Sequence, residues 1–187
     1  MSMWLLLPVL ALLGWGIFAF NRLVRLRNQT RTAWADIDVQ LQRRHDLVPQ
    51  LVAAVQGYAG HEAATLQAVT ELRTQALALA MPQNQPGRLG EVEDALEQAL
   101  GRLIALQEAY PELKANQNFA QLQRDLVDTE EQLQYARRFY NGAVRDYTDA
   151  TQRVPDVLVA KATGFGPVEF FQAAADSRAA VKVEMPR

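Results

Sequence analysis

At 187 residues the chain is long enough for one globular domain and an appendage. Its 19 basic and 21 acidic residues leave a net charge of −2, which excludes a global field suited to nucleic acid. Cysteine is absent, so disulfides, thiolate nucleophiles, thiolate metal sites and a lipidated N-terminal cysteine are excluded as well.

The first element is MWLLLPVLALLGWGIFAF, residues 3–20, an uncharged run close to the minimum for crossing hydrocarbon. Trp4 at one end and Phe18 and Phe20 at the other suit the two interfaces, where amphipathic rings are favoured. A cleaved signal peptide is the rival reading. That wants Lys or Arg before the apolar core and a small-residue cleavage site after it, and neither is present. A retained span is therefore expected. Arg22, Arg25, Arg27 and Arg31 follow it with no intervening acid, which places the C-terminal body in the cytoplasm and the N-terminus outside. Their expected role is a stop-transfer flank, with headgroup contact as a by-product.

From residue 21 to 153 the chain reads as helix. Trp34, Ile37, Leu41, Val48, Val52, Val55 and Ala59 recur at helical steps, and Leu66, Val69, Leu72, Ala76 and Leu79 continue the pattern. A loop is expected at MPQNQPGRLG, residues 81–90. Val92, Leu96, Ala99, Leu103, Leu106 and Tyr110 then mark a third segment, ended at Tyr110-Pro111 because proline restricts the residue before it. Asn118 with Gln121 is the expected cap of the last long helix. Along that helix Phe119, Leu122, Leu126, Thr129, Leu133, Ala136, Tyr140, Ala143, Tyr147, Ala150 and Val154 keep a near-seven repeat, the pattern of bundle or coiled-coil packing. Arg137-Arg138, with acids nearby, reads as a solvated face. Last comes GFGPVEFF, residues 164–171, and an alternating VKVEM at 181–185. This tail is expected to cover one end of the bundle; the alternative is an exposed Phe165, Phe170 and Phe171 patch for a partner.

RRHDLVPQLVAAVQGYAGHE, residues 43–62, contains both histidines, each followed by an acid. In one helix His45 and His61 are 16 residues apart, roughly 24 Å along the axis and about 160° around it, too far to share a metal ion. Adjacent residues diverge by about 100°, so neither acid orients its own histidine, and Asp46 is expected to pair with Arg43 instead. Pro49 is more informative. It lacks the N–H that would bond the carbonyl of His45, so a kink is expected there. The apolar stripe holds phase from Leu41 to Val48, which favours a continuous, bent helix. Gly-rich phosphate loops and GxSxG elbows are absent from the sequence.

The fold class expected is all-α: an antiparallel long-helix bundle attached to one N-terminal transmembrane helix. The boundaries expected are 1–21 for the anchor, 22–153 for the bundle and 154–187 for the tail.

LRNQTRTAWADIDVQLQRRHDLVPQLVAAVQGYAGHE (26–62) and YPELKANQNFAQLQRDLVDTEEQLQYARRFYNGAVRDYT (110–148) resemble the LemA family. With the preceding span and GFGPVEFF the resemblance covers essentially the whole chain. Gln50, where asparagine is common, and Val154, where an aromatic is common, are slight departures. The resemblance implies a bacterial single-pass protein of the cytoplasmic membrane with an antiparallel helical bundle. It brings no activity, cofactor or catalytic residue.

The leading functional expectation is a non-enzymatic, membrane-anchored scaffold that self-associates as a homo-oligomer or organises membrane-protein partners. Its first partner is the lipid bilayer, and neither cofactor nor nucleic acid is involved. The alternative is an adaptor of envelope-stress membrane proteolysis, a pathway the resemblance hints at. Its candidate contacts are Tyr110, Asn116 and Asn118 in the PELKANQN region and the three tail phenylalanines. A metal-dependent hydrolase using His45 and His61 comes last.

Overall fold

The computed structural model describes residues 3–59, 62–80 and 86–171, with side chains from residue 7 onward. The architecture is an all-α helical bundle without strands among the described residues. Its elements are α1 (Met3–Gln56), α2 (Ala63–Ala80), α3 (Pro86–Ala105), a 3-10 turn (Leu106–Glu108), α4 (Pro111–Lys114), α5 (Gln117–Gln152) and α6 (Asp156–Thr163).

The apolar run and the first bundle segment form one helix. α1 has 54 residues, roughly 81 Å at 1.5 Å per residue, and passes through Pro49 without a break. It ends at Gln56, where Gly57 and Tyr58 turn the chain. α3 starts at Pro86, inside the expected loop: the missing N–H of a first-turn proline would have been an orphan anyway. α5 starts at Gln117, and its cap is Asn116 rather than Asn118. Asn116 Oδ1 accepts the amide of Phe119 at 3.1 Å, one of the orphan donors of a helix start.

α1 and α5 run antiparallel. Leu23 clusters with Ala150, Trp34 meets the ring of Tyr140 edge-on at 5.2 Å, and Arg44 reaches Glu130, so rising numbers on one helix meet falling numbers on the other. The buried residues of α5 include Phe119, Leu122, Leu126, Thr129, Leu133, Ala136, Tyr140, Ala143, Tyr147 and Ala150, spaced by threes and fours as a heptad seam requires. On α1 the buried seam reads Ile37, Leu41, Arg44, Val48, Leu51 and Val55. Trp34 and Val52, expected inside, are only half-buried.

The chain divides into two compact units. The first combines Met1–Leu41 with Glu131–Phe170, and the second combines Gln42–Glu130 with Phe171–Arg187. The second unit holds the larger apolar core, where Val48, Leu51, Val55, Val69, Leu96, Leu103, Leu113 and Phe119 are nearly inaccessible. In the first, Leu23, Ala150 and Ala160 form a smaller cluster with Leu26, Val159 and Phe165 against it.

Candidate functional site

Two places in the molecule carry chemistry that a simple apolar bundle would not need. One is a buried ionic layer in the second unit. On α3 the seam Leu89, Glu93, Leu96, Leu100, Leu103 steps by four and three, and Glu93 stands where an apolar residue would be expected. Arg44 occupies the corresponding kind of position on α1, and Thr129 on α5. These three polar seam residues are all buried.

The contacts of Glu93 account for its burial. One carboxylate oxygen accepts Arg44 Nη1 at 3.0 Å, and the other lies 2.7 Å from His45 Nε2, where the ring N–H donates to it. Arg44 Nη1 also donates to the Glu93 carbonyl at 2.9 Å, while Nη2 donates to Glu130 at 2.6 Å with Glu97 further off at 4.0 Å. The side chains of Arg44 and Glu93 are 0% exposed and that of His45 is 2% exposed. A charge so far from water is tolerable only when it is paired and hydrogen-bonded. His45, beside the expected bend, therefore has a partner that sequence spacing did not reveal, Glu93 on another helix. Asp46 takes the side-chain amide of Gln42 at 2.9 Å instead of Arg43.

The proline defect is repaired by the same neighbourhood. With no N–H at Pro49 the carbonyl of His45 lacks its helical partner. Arg73 Nε of α2 donates to that carbonyl at 2.8 Å. Arg73 is thus bound to the backbone at the point where α1 loses a hydrogen bond. Among the described residues, no group of three or more His, Asp or Glu side chains is placed to hold a metal ion. His61 lies outside the described residues.

The other place is the apolar part of the first unit. Leu7, Leu10, Leu12, Leu13, Ile17 and Phe18 are all well exposed, Phe18 by 67%. Such a run is long and apolar enough to cross a membrane, and little of it is covered by the rest of the chain. The side chain of Trp4 lies outside the described residues. Phe20, half-exposed, meets the Phe165 ring at 5.7 Å.

The flanking arginines do more than follow the run. Arg22 pairs with Asp156 at 2.8 Å, and Arg27 lies over the Phe165 ring at 5.9 Å. Arg25 and Arg31 are exposed. The segment after α6 is held by two tyrosines seven residues apart on α5. Tyr140 donates its hydroxyl to the Glu169 carbonyl at 2.8 Å, and Tyr147 donates to the Gly166 carbonyl at 2.9 Å. Burial, with the charge of Glu169 adding to it, pushes the Tyr140 phenol up to about 12. Burial also raises Tyr147, so both hydroxyls remain donors at neutral pH.

The tail phenylalanines do not form one patch. Phe165 is half-buried, Phe170 is 41% exposed and Phe171 is 1% exposed. Tyr110 packs against the core of the second unit, and Asn116, besides capping α5, donates to the Tyr58 hydroxyl at 3.0 Å. Asn118 is exposed. Arg137 is buried, contrary to the expected solvated face, whereas Arg138 is exposed and lies 4.7 Å from the centre of the Tyr135 ring. The alternating residues 181–185 lie outside the described part.

The sequence matches the LemA family over residues 33–185. The chain belongs to the LemA family. It is 26% identical over 188 residues to magnetosome proteins MamQ 1 and MamQ 2 of Paramagnetospirillum magneticum, an overlap of 89% of this chain and 69% of each relative. It is also similar to protein LemA of Metamycoplasma hominis, at 25% identity over 84% of this chain and 74% of that one. The LemA match starts beyond the apolar run, and Arg44, Glu93 and Pro49 lie within it.

Proposed function

We propose that this LemA-family chain is a non-enzymatic scaffold tethered to the bacterial cytoplasmic membrane. α1 serves as anchor and bundle helix in one continuous element, and the body self-associates or gathers membrane-protein partners on the cytoplasmic side. The observation that carries this reading is the exposed apolar run of α1, continuous with the helix that supplies Ile37 and Leu41 to the buried seam. An aqueous surface has no use for so many exposed leucines, and a bilayer does. The arginines at 22, 25, 27 and 31 support the cytoplasmic placement of the body.

The self-association part has support of its own in the first unit. Val39, Tyr135 and Phe139 are all more than half exposed and line an open pocket of about 340 Å³ with Asp36, Gln40, Gln132 and Ala136. Such a patch fits an apolar helix face of a second copy or a partner. The test is the mass of the full chain extracted gently from its native membrane, together with cross-linking in cells. Assemblies that come apart on Phe139→Asp support the scaffold. A uniformly monomeric particle with no cross-linked partner refutes it, and release of the chain by alkaline washing refutes the anchor.

A further inference from the structure

α6 is eight residues long and has two unlike faces. Asp156 and Ala160, one turn apart, are buried: Asp156 holds Arg22 at 2.8 Å, and Ala160 clusters with Leu23 and Ala150. Gly164, at φ 74° in the left-handed region, ends the helix and donates its amide to the Ala160 carbonyl. Phe165 then returns to the ring of Phe20.

The opposite face is apolar and open. Leu158 lies about 200° around the axis from Asp156 and is 65% exposed. Ala162, one turn later, is exposed as well, and Val154, in the turn just before the helix, is 78% exposed. Exposed Arg153 and Lys161 flank this stripe. A helix face directed at water would carry a polar residue where Leu158 stands.

The level of the stripe is set by its anchoring contacts. Arg22 and Leu23 lie two and three residues beyond the uncharged run, a rise of about 3–5 Å along α1. If the run fills the hydrocarbon, α6 sits at headgroup depth, where apolar stripes rimmed by cations are stabilised by shallow burial and by anionic lipid. We infer that the Leu158 and Ala162 face of α6, with Val154 in the turn before it, lies in the headgroup–acyl boundary of the bilayer that α1 crosses. The chain then holds the membrane twice, through a spanning helix and a short helix lying flat beside its exit. The Arg22–Asp156 pair and the Phe20–Phe165 contact tie the two together, which fixes the depth and rotation of α1 more firmly than a lone span can. This inference rests on the membrane-anchor reading of α1.

The absence of native cysteine makes single labels site-specific. Full-length Leu158→Cys, Leu12→Cys and Gln50→Cys, each carrying an environment-sensitive fluorophore, are reconstituted in vesicles of phosphatidylethanolamine and phosphatidylglycerol. The vesicles carry nitroxide lipids labelled either near the headgroup or near the acyl-chain end. Gln50 is an exposed control roughly 45 Å along α1 from Phe20. The expected result is quenching at Leu158 several-fold above Gln50 by the shallow nitroxide, with Leu12 quenched best by the deep one. Leu158 quenched no more than Gln50, while Leu12 is quenched, overturns the α6 inference and leaves the anchor standing. A Leu158 label shielded from water but not quenched by lipid also overturns it, in favour of a protein contact. An unquenched Leu12 overturns the anchor, and the α6 inference with it.

Discussion

The two units solve opposite problems with the same heptad spacing. The second unit buries large side chains such as Leu51, Leu96, Leu103 and Phe119, and sets a hydrogen-bonded polar layer of Arg44, Glu93 and His45 among them. The first unit buries many small ones, among them Ala19, Ala33, Ala143, Ala150 and Ala160, and leaves Leu10, Leu12, Phe18, Val154 and Leu158 outside. Hydrophobic burial from water can drive the second. The first buries Leu23, Ile37, Leu133 and Tyr147 too, and adds ring contacts and the tyrosine hydrogen bonds to the segment after α6. The difference teaches that apolar content alone does not tell inside from outside in this chain.

The comparison is broken most severely at Glu93. Glu93→Ala leaves Arg44 and His45 buried without their shared carboxylate, and should cost about 3–5 kcal/mol in denaturant titration of the solubilised full chain. Combining Glu93→Leu with Arg44→Met and His45→Leu should recover much of that loss, because a packed apolar layer no longer requires compensation. Full stability of Glu93→Ala would mean the layer contributes nothing. If stability returns in the triple variant but the particle becomes heterogeneous on sizing, the layer serves register, as polar residues in coiled-coil seams do.

Next in size is the repair of the proline defect. Arg73→Met strips the His45 carbonyl of its donor and should destabilise by about 1–3 kcal/mol. In a Pro49→Ala background, where residue 49 regains its N–H, the same substitution should cost clearly less. Equal costs in both backgrounds would show that Arg73 acts by other contacts.

In the first unit the effects are smaller. Tyr140→Phe removes one hydroxyl donor and should cost about 0.5–1.5 kcal/mol, read locally as faster amide exchange over residues 164–170. Unchanged exchange there would show that the tail is held by Tyr147 and Phe165 alone. Smallest is Asp38, whose carboxyl is pushed above its usual range by burial, with the Trp34 indole hydrogen bond acting against the rise. A raised carboxylate value means the folded state holds its proton longer than the unfolded one. This group's contribution to stability is therefore present at acid pH and lost as pH rises through its folded value. Asp38→Asn should slightly stabilise the protein at neutral pH and remove that part of the pH dependence; a loss of stability instead would show the charge is needed.

Much of this was legible in the sequence, and the exceptions have reasons. The α5 seam from Phe119 to Ala150 could be read because one helix buries one stripe at a fixed period. The α3 seam was read around Val92 and Leu106, whereas burial selects Leu89, Glu93 and Leu100. A carboxylate breaks an apolar pattern, so periodicity alone steps over it. The signal available was Arg44 and Glu93 each standing at a three-or-four step between apolar neighbours. Asn116 and Asn118 both have capping side chains, and only the backbone start at Gln117 separates them.

The long helices, the apolar run, the heptad spacing and the carbonyl that Pro49 must free can be read along the chain. These follow from local chemistry: residue period, backbone donors and uninterrupted hydropathy. Only the tertiary structure decided which groups answer them. Arg73 meets the freed carbonyl, Glu93 joins Arg44 to His45, and Asp156 claims Arg22. Each pairing joins residues at least 28 positions apart in the chain, and such meetings are set by how helices pack, which no local pattern encodes.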